Sequence, residues 1–151
     1  MDEEGLVLGD LVALGALLVT LLGGGHQPMD MADDPSIRAG FWNLVADSRY
    51  GFARTEEAMF IVRGADGAVS FVRWPDAGLH QRAQWIGRFP RGTVAIAHTH
   101  PNWIPEPSAV DTRLAAKTGI PVYVVTRTRI SRTAGGVSET LVDRDWRPVR
   151  N

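Results

Sequence analysis

One stretch of this chain limits its fold more than any other, residues 92–130. It opens on GTVAIAHTH, a β-rich run that ends in two histidines, His98 and His100. Residues 108–118, SAVDTRLAAKT, begin with Ser108 three positions before Asp111 and stop at Gly119, with Pro121 just beyond. Those are the N-cap, capping-box and C-cap marks of a helix. PVYVVTRTRI then reads as a strong strand. A strand, a helix and a strand in such close order require a sheet with a helix laid against it.

The rest of the domain agrees. In DDPSIRAGFWNLVADSRYG a cap-and-proline signal precedes apolar residues at helical spacing, Ile37, Phe41, Leu44 and Val45, which predicts a helix over 36–48. EEAMFIVRGADGAVSFVRW carries two apolar runs around GADG, a hairpin signal. DAGLHQRAQWIGRF predicts a helix with Leu79, Ala83 and Ile86 on one face. After PVYVVTRTRI, AGG turns the chain into VSETLVD as a final hairpin. The expected class is α+β, or mixed α/β, with helices against one sheet.

The N-terminus is a different material. From Leu6 to Leu22 the only charge is Asp10, and the run falls a little short of the ~18 apolar residues that argue a spanning helix. The opening MDEEG has the wrong sign for a signal peptide. A membrane anchor, a hydrophobic docking helix and a helix packed on the domain all stay open. The expected organisation is a hydrophobic segment over 1–25, a linker over 26–34 and the main domain over 35–151. If residues 6–22 enter a membrane, the acidic N-terminus and the later arginines place the domain on the cytoplasmic side. The location expected is then cytoplasmic or membrane-associated.

Charge is divided in the same way. Residues 1–37 hold seven acids and no Lys or Arg, while residues 38–151 hold sixteen bases against ten acids, a net of +6. A basic domain favours an acidic partner. The arginines are scattered, without a basic run or an aromatic-rich RNA motif, so nucleic acid is not expected.

The chain has no cysteine, so disulfides, thiolate zinc sites and cysteine nucleophiles are excluded together. A metal would have to be held by His and carboxylate. Alternate residues of a strand share a face, so His98 and His100 point the same way and can grip one ion. Asp111, in the first turn of the following helix, can complete a His, His, Asp set that leaves a fourth position open, the mark of a catalytic site. Glu56, Glu57, Asp76 and Glu106 are candidates for the base, and spacing alone does not choose among them. The plainer reading, a strand end followed by a helix cap, stands beside this one.

His98-Thr99-His100, seven residues, Ser108, two residues, Asp111 resembles the JAMM motif of the MPN+ metalloproteases. That motif also carries an upstream E-x-x-G-L-x-x-G, which Glu57 and Gly64 resemble, with Phe60 where the family has glycine. The resemblance covers Ser36 to Val142. It implies a curved β-sheet flanked by helices, cytidine-deaminase-like in layout. It implies that His98, His100 and Asp111 bind zinc and that Glu57 acts as base and then acid. It implies that Ser108 caps its helix and steadies an oxyanion. The implied reaction is hydrolysis of an amide or isopeptide bond, deubiquitinase-like, in a compact prokaryotic version. The implied substrate is a peptide or protein, among them ubiquitin-like proteins and cell-wall peptides. Trp103 is a candidate substrate contact, with a loop residue folded over the core as the alternative. Trp42, Trp74, Trp85 and Trp146 are expected in or beside the core. The rival reading is a non-catalytic MPN-like scaffold docked through residues 6–22. The lack of cysteine speaks against the zinc deaminases.

Overall fold

The computed structural model describes residues 29–53, 56–75, 83–144 and 146–148. The chain divides into two units, Met1–Asp30 and Met31–Asn151, and every described helix and strand falls in the second. The hydrophobic run at 6–22 lies outside the described residues. Among those described, no helix is long and apolar enough to cross a membrane.

Helix α1 spans Pro35–Asp47. Asp34 caps it by accepting from the backbone N–H groups of Ser36 and Ile37, and proline in the first turn sacrifices no hydrogen bond. Ile37, Phe41, Leu44 and Val45 are buried along one stripe, as their spacing predicts. Gly40 is there for space: a Cβ would lie 2.6 Å from the ring of Phe71. The strands are β1 (Ala58–Arg63), β2 (Val69–Arg73), β3 (Thr93–Thr99), β4 (Val122–Val125), β5 (Arg129–Ala134) and β6 (Val137–Asp143). Helix α2, Ala109–Thr118, connects β3 to β4. The sheet order is β2-β1-β3-β4-β5-β6; β3 and β4 are parallel and every other neighbouring pair is antiparallel. A mixed sheet with two helices is the α+β class expected.

Strand alternation gives the sheet two faces. Met59, Ile61, Ala95, Ala97, Tyr123 and Val125 join Phe41, Leu44 and Val45 of α1 in the larger core. Phe60, Ile96 and Val122 join Ala115 of α2 in a smaller one, with Trp74, Trp85 and Phe89 packed against it. Trp42 and Trp146 meet edge to face in the larger core at 5.1 Å, so these four tryptophans are in or beside the cores.

Two expectations need correction. The helix placed over 76–89 does not continue through its described part: residues 83–90 are irregular, and 76–82 lie outside the described residues. Gly87 has φ 114°, which a right-handed helix does not admit. Trp85 and Phe89 instead pack on Phe60, each at 4.9 Å between ring centroids, while Ile86 is exposed. The run PVYVVTRTRI is two strands with a turn between them. Thr126 makes the turn, its N–H donating to Arg129 O and its hydroxyl accepting from Arg129 N–H.

Candidate metal centre

The β1–β3 register sets the site. Ala58 pairs with His98. One step on, Thr99 N–H donates to Glu57 O at 2.9 Å, and Glu57 N–H donates to Thr99 Oγ1 at 3.0 Å. A further step sets Glu56 opposite His100. Alternation then puts Glu56 and Ala58 on the face of His98 and His100, and turns Glu57 to the other. That face is the one α2 covers.

Four side chains from three elements converge there. Asp111 Oδ1 lies 2.9 Å from His98 Nε2, and Asp111 Oδ2 lies 3.9 Å from His100 Nε2. Glu56 Oε2 is 3.6 Å from His98 Nδ1, and Glu56 Oε1 is 4.0 Å from His100 Nε2. His98, His100 and Asp111 are buried and Glu56 is half-buried. The two imidazoles stand nearly edge to face, their centroids 4.8 Å apart.

Neighbouring groups hold these side chains in place. His100 Nδ1 contacts Ile104 O at 2.9 Å; as donor there, it leaves Nε2 with a lone pair facing the acids. Asp111 Oδ2 accepts from both the backbone N–H and the hydroxyl of Ser108 at 2.7 Å, and Ser108 Oγ accepts from Asp111 N–H at 3.2 Å. The expected capping box is therefore complete, and it also aims the carboxylate.

The electrostatics fit a cation. Burial pushes His98 down, but the Asp111 and Glu56 carboxylates overcome it and hold the ring at about 9. Burial raises Asp111, but His98 and the Ser108 donors outweigh it and keep its carboxyl well below the ordinary range. Burial and the charge on His98 lower His100, which favours its neutral form. His98 Nε2 is buried and makes no aligned hydrogen bond, despite lying close to Asp111 Oδ1. A ring nitrogen and a carboxylate oxygen, both bearing lone pairs, need a positive centre between them at this distance. A proton or a metal ion supplies it. Glu56, His98 and His100 each bring one ligand atom within 4.8 Å of the others, so this group could hold a metal ion.

The other acids are placed elsewhere. Glu57 turns away from the histidines and pairs with Arg73 at 3.0 Å, so Glu56 replaces it beside the site. The uninterrupted apolar run AMFIVR hid which glutamate shares the histidine face, because no polar alternation marks either side of β1. Glu106 pairs with Arg129 at 2.8 Å on the surface, and Asp76 lies outside the described residues. Trp103 is 69% exposed and does not fold over the core. The Ile104 carbonyl was missed, since no side-chain pattern marks a backbone acceptor.

Glu56, His98, His100, Ser108 and Asp111 line a cavity of about 500 Å³ whose inner wall includes Ile96, Val122 and Leu114. A family model described as prokaryotic homologs of the JAB domain matches residues 42–147, which takes in the sheet, α2 and all four converging residues. No curated protein and no solved structure matches.

Proposed function

The chain belongs to the prokaryotic homologs of the JAB domain, and on that premise we propose that it is a zinc-dependent hydrolase of amide or isopeptide bonds. The observation that carries this reading is the convergence of Glu56, His98, His100 and Asp111 in one cavity, with Ser108 beside them. Nitrogen and carboxylate ligands with no thiolate suit zinc. When bound, zinc supplies Lewis acidity, polarising the scissile carbonyl and making water a nucleophile near neutral pH.

The chain's own residues do the rest. His98, His100 and Asp111 would hold the ion. Glu56, whose carboxylate lies on the same side, 3.6 Å from His98 Nδ1 and 4.0 Å from His100 Nε2, takes the proton from water and returns it to the leaving amine. The Ile104 carbonyl keeps His100 in the tautomer that presents Nε2 to the site. Ser108 orients Asp111 through its backbone N–H and hydroxyl; when the single hydroxyl proton turns from Asp111 Oδ2, which keeps the Ser108 N–H, it steadies the developing oxyanion. The substrate is a peptide or protein, with ubiquitin-like proteins and cell-wall peptides as the classes to screen.

Elemental analysis of the purified full chain tests the proposal, beside the double variant His98→Ala/His100→Ala. About one zinc per chain in the parent and none in the folded variant is the expected result, with hydrolysis of a peptide or isopeptide screen following the metal. A folded parent that takes up no zinc would leave a buried ion pair and a helix cap, and favour a non-catalytic scaffold.

A further inference from the structure

A second cavity, about 690 Å³, shares no lining residue with the first. Trp42 and Asn43 of α1, Tyr50 and Phe52 of the following turn, and Arg127 and Arg147 line it. Its walls are aromatic: Trp42 and Tyr50 lie 5.9 Å apart, and the Arg147 guanidinium sits 5.8 Å from the Trp42 ring. Its rim is exposed, with Tyr50 at 44% and Phe52 at 71%.

Three observations mark it as a built site. Arg49 and Tyr50 both adopt positive φ, 51° and 58°, which two consecutive non-glycine residues seldom do. Such conformations persist only where their surroundings enforce them, and they gather at binding sites. Asn102 does the enforcing. Its side-chain N–H donates to Tyr50 O at 2.7 Å, and its Oδ1 accepts from Arg127 N–H at 3.4 Å, so one residue ties two walls together. Gly51 lets it approach, since a Cβ there would lie 2.6 Å from Asn102 Oδ1. Finally, the Arg127 guanidinium, which among the described residues has no carboxylate partner, lines the cavity together with Arg147, so two guanidinium-bearing residues share the lining with the aromatic rings. It belongs to a unit, residues 31–151, that carries sixteen bases against twelve acids.

We propose that this cavity binds an acidic peptide segment, whose carboxylate meets Arg127 and whose neighbouring apolar side chain lies against Trp42, Tyr50 and Phe52. Arg, Trp and Tyr are the residues that dominate peptide and protein recognition. A free inorganic anion would engage the arginine and leave the aromatic rim uncovered. The site stands apart from the metal ligands and does not need the metal.

The test is a titration of the full chain, in chelator, with acetyl-Asp-Asp-Leu-Asp-amide, read by tryptophan emission. Saturable binding is expected. Arg127→Gln and Phe52→Ser, both at exposed positions, should each weaken it about tenfold or more, the first by removing a charge-assisted contact. The neutral acetyl-Asn-Asn-Leu-Asn-amide should bind far more weakly, and inorganic phosphate should compete no better than chloride at equal ionic strength. Absence of saturation, equal binding of the neutral peptide, unchanged affinity in both variants, or effective competition by phosphate would each overturn the proposal.

Discussion

On one face of the sheet, α1 lays Phe41, Leu44 and Val45 over Met59, Ile61, Ala97 and Tyr123, all at 0–1% exposure. On the other, α2 helps bury Phe60, Ile96 and Val122, and the same face carries His98, Ser131 and Thr133. Those three have buried polar atoms without hydrogen-bond partners, as does Trp74 Nε1 beside them. Buried groups of this kind cost stability, so a face optimised only for packing would not keep them. The first face is organised for packing. The second gives up packing to hold polar side chains at the open end of β3.

The sharpest way to break this comparison is at the paired glutamates. Glu56→Gln should lower turnover by about 10²–10⁴-fold, the usual contribution of a positioned acid–base group, with zinc retained. Glu57→Gln, which faces the other way and loses only a partly exposed pair with Arg73, should leave turnover nearly intact. The reverse ranking in steady-state kinetics would remove Glu56 from the reaction. The other face should respond in the opposite sense. Phe41→Ala deletes a fully buried ring and should cost about 3–5 kcal/mol in denaturant unfolding, with activity per folded molecule preserved. Leu114→Ala, at a half-buried position on α2, should cost less stability and alter the candidate metal cavity it lines.

What the sequence could reveal follows from the same division. Helix α1 was legible because its apolar stripe, Asp34 and Pro35 act locally, and so were Ser108, Asp111 and Gly119 at the two ends of α2. The histidine pair was legible because i and i+2 on a strand always share a face. The choice of Glu56 was not, because it depends on a register between strands some forty residues apart. The 83–90 segment misled for a similar reason: helical spacing was present, but Phe60 captured Trp85 and Phe89 from across the fold. The turn at Thr126 was hidden because the Trp146 indole N–H, twenty residues on, donates to the Thr126 carbonyl and helps hold it.

The pH response of the metal-free chain gives a smaller effect. His98 is raised to about 9 in the fold, against about 6.5 when unfolded. A raised pKa contributes stability that is complete below the unfolded value and is lost as pH climbs through the folded one. Asp111 is lowered, so its contribution is present above about pH 4 and lost as pH falls further. The urea midpoint of chelated protein should therefore decline from about pH 6.5 to 9. Zinc requires the deprotonated ring, so the zinc-loaded chain should escape that decline. A chelated midpoint that stays flat or rises across this window would show that His98 is not held charged by its acids.

The two helix caps give the smallest effect and the finest comparison. Asp34 and Ser108 do the same local work, each accepting from first-turn N–H groups. Asp34→Ala and Ser108→Ala should each cost about 1 kcal/mol in unfolding midpoint. Their catalytic effects should separate. Asp34 caps the packing helix and touches nothing in the cavity, so its loss should leave kcat unchanged. The Ser108 hydroxyl also donates to Asp111 Oδ2, so its loss leaves that oxygen with the Ser108 backbone N–H alone and should lower kcat and zinc affinity together. Ser108→Thr keeps the hydroxyl and should restore both. If Ser108→Ala behaves like Asp34→Ala in every assay, Ser108 is only a cap, and the second face owes its chemistry to the four converging side chains alone.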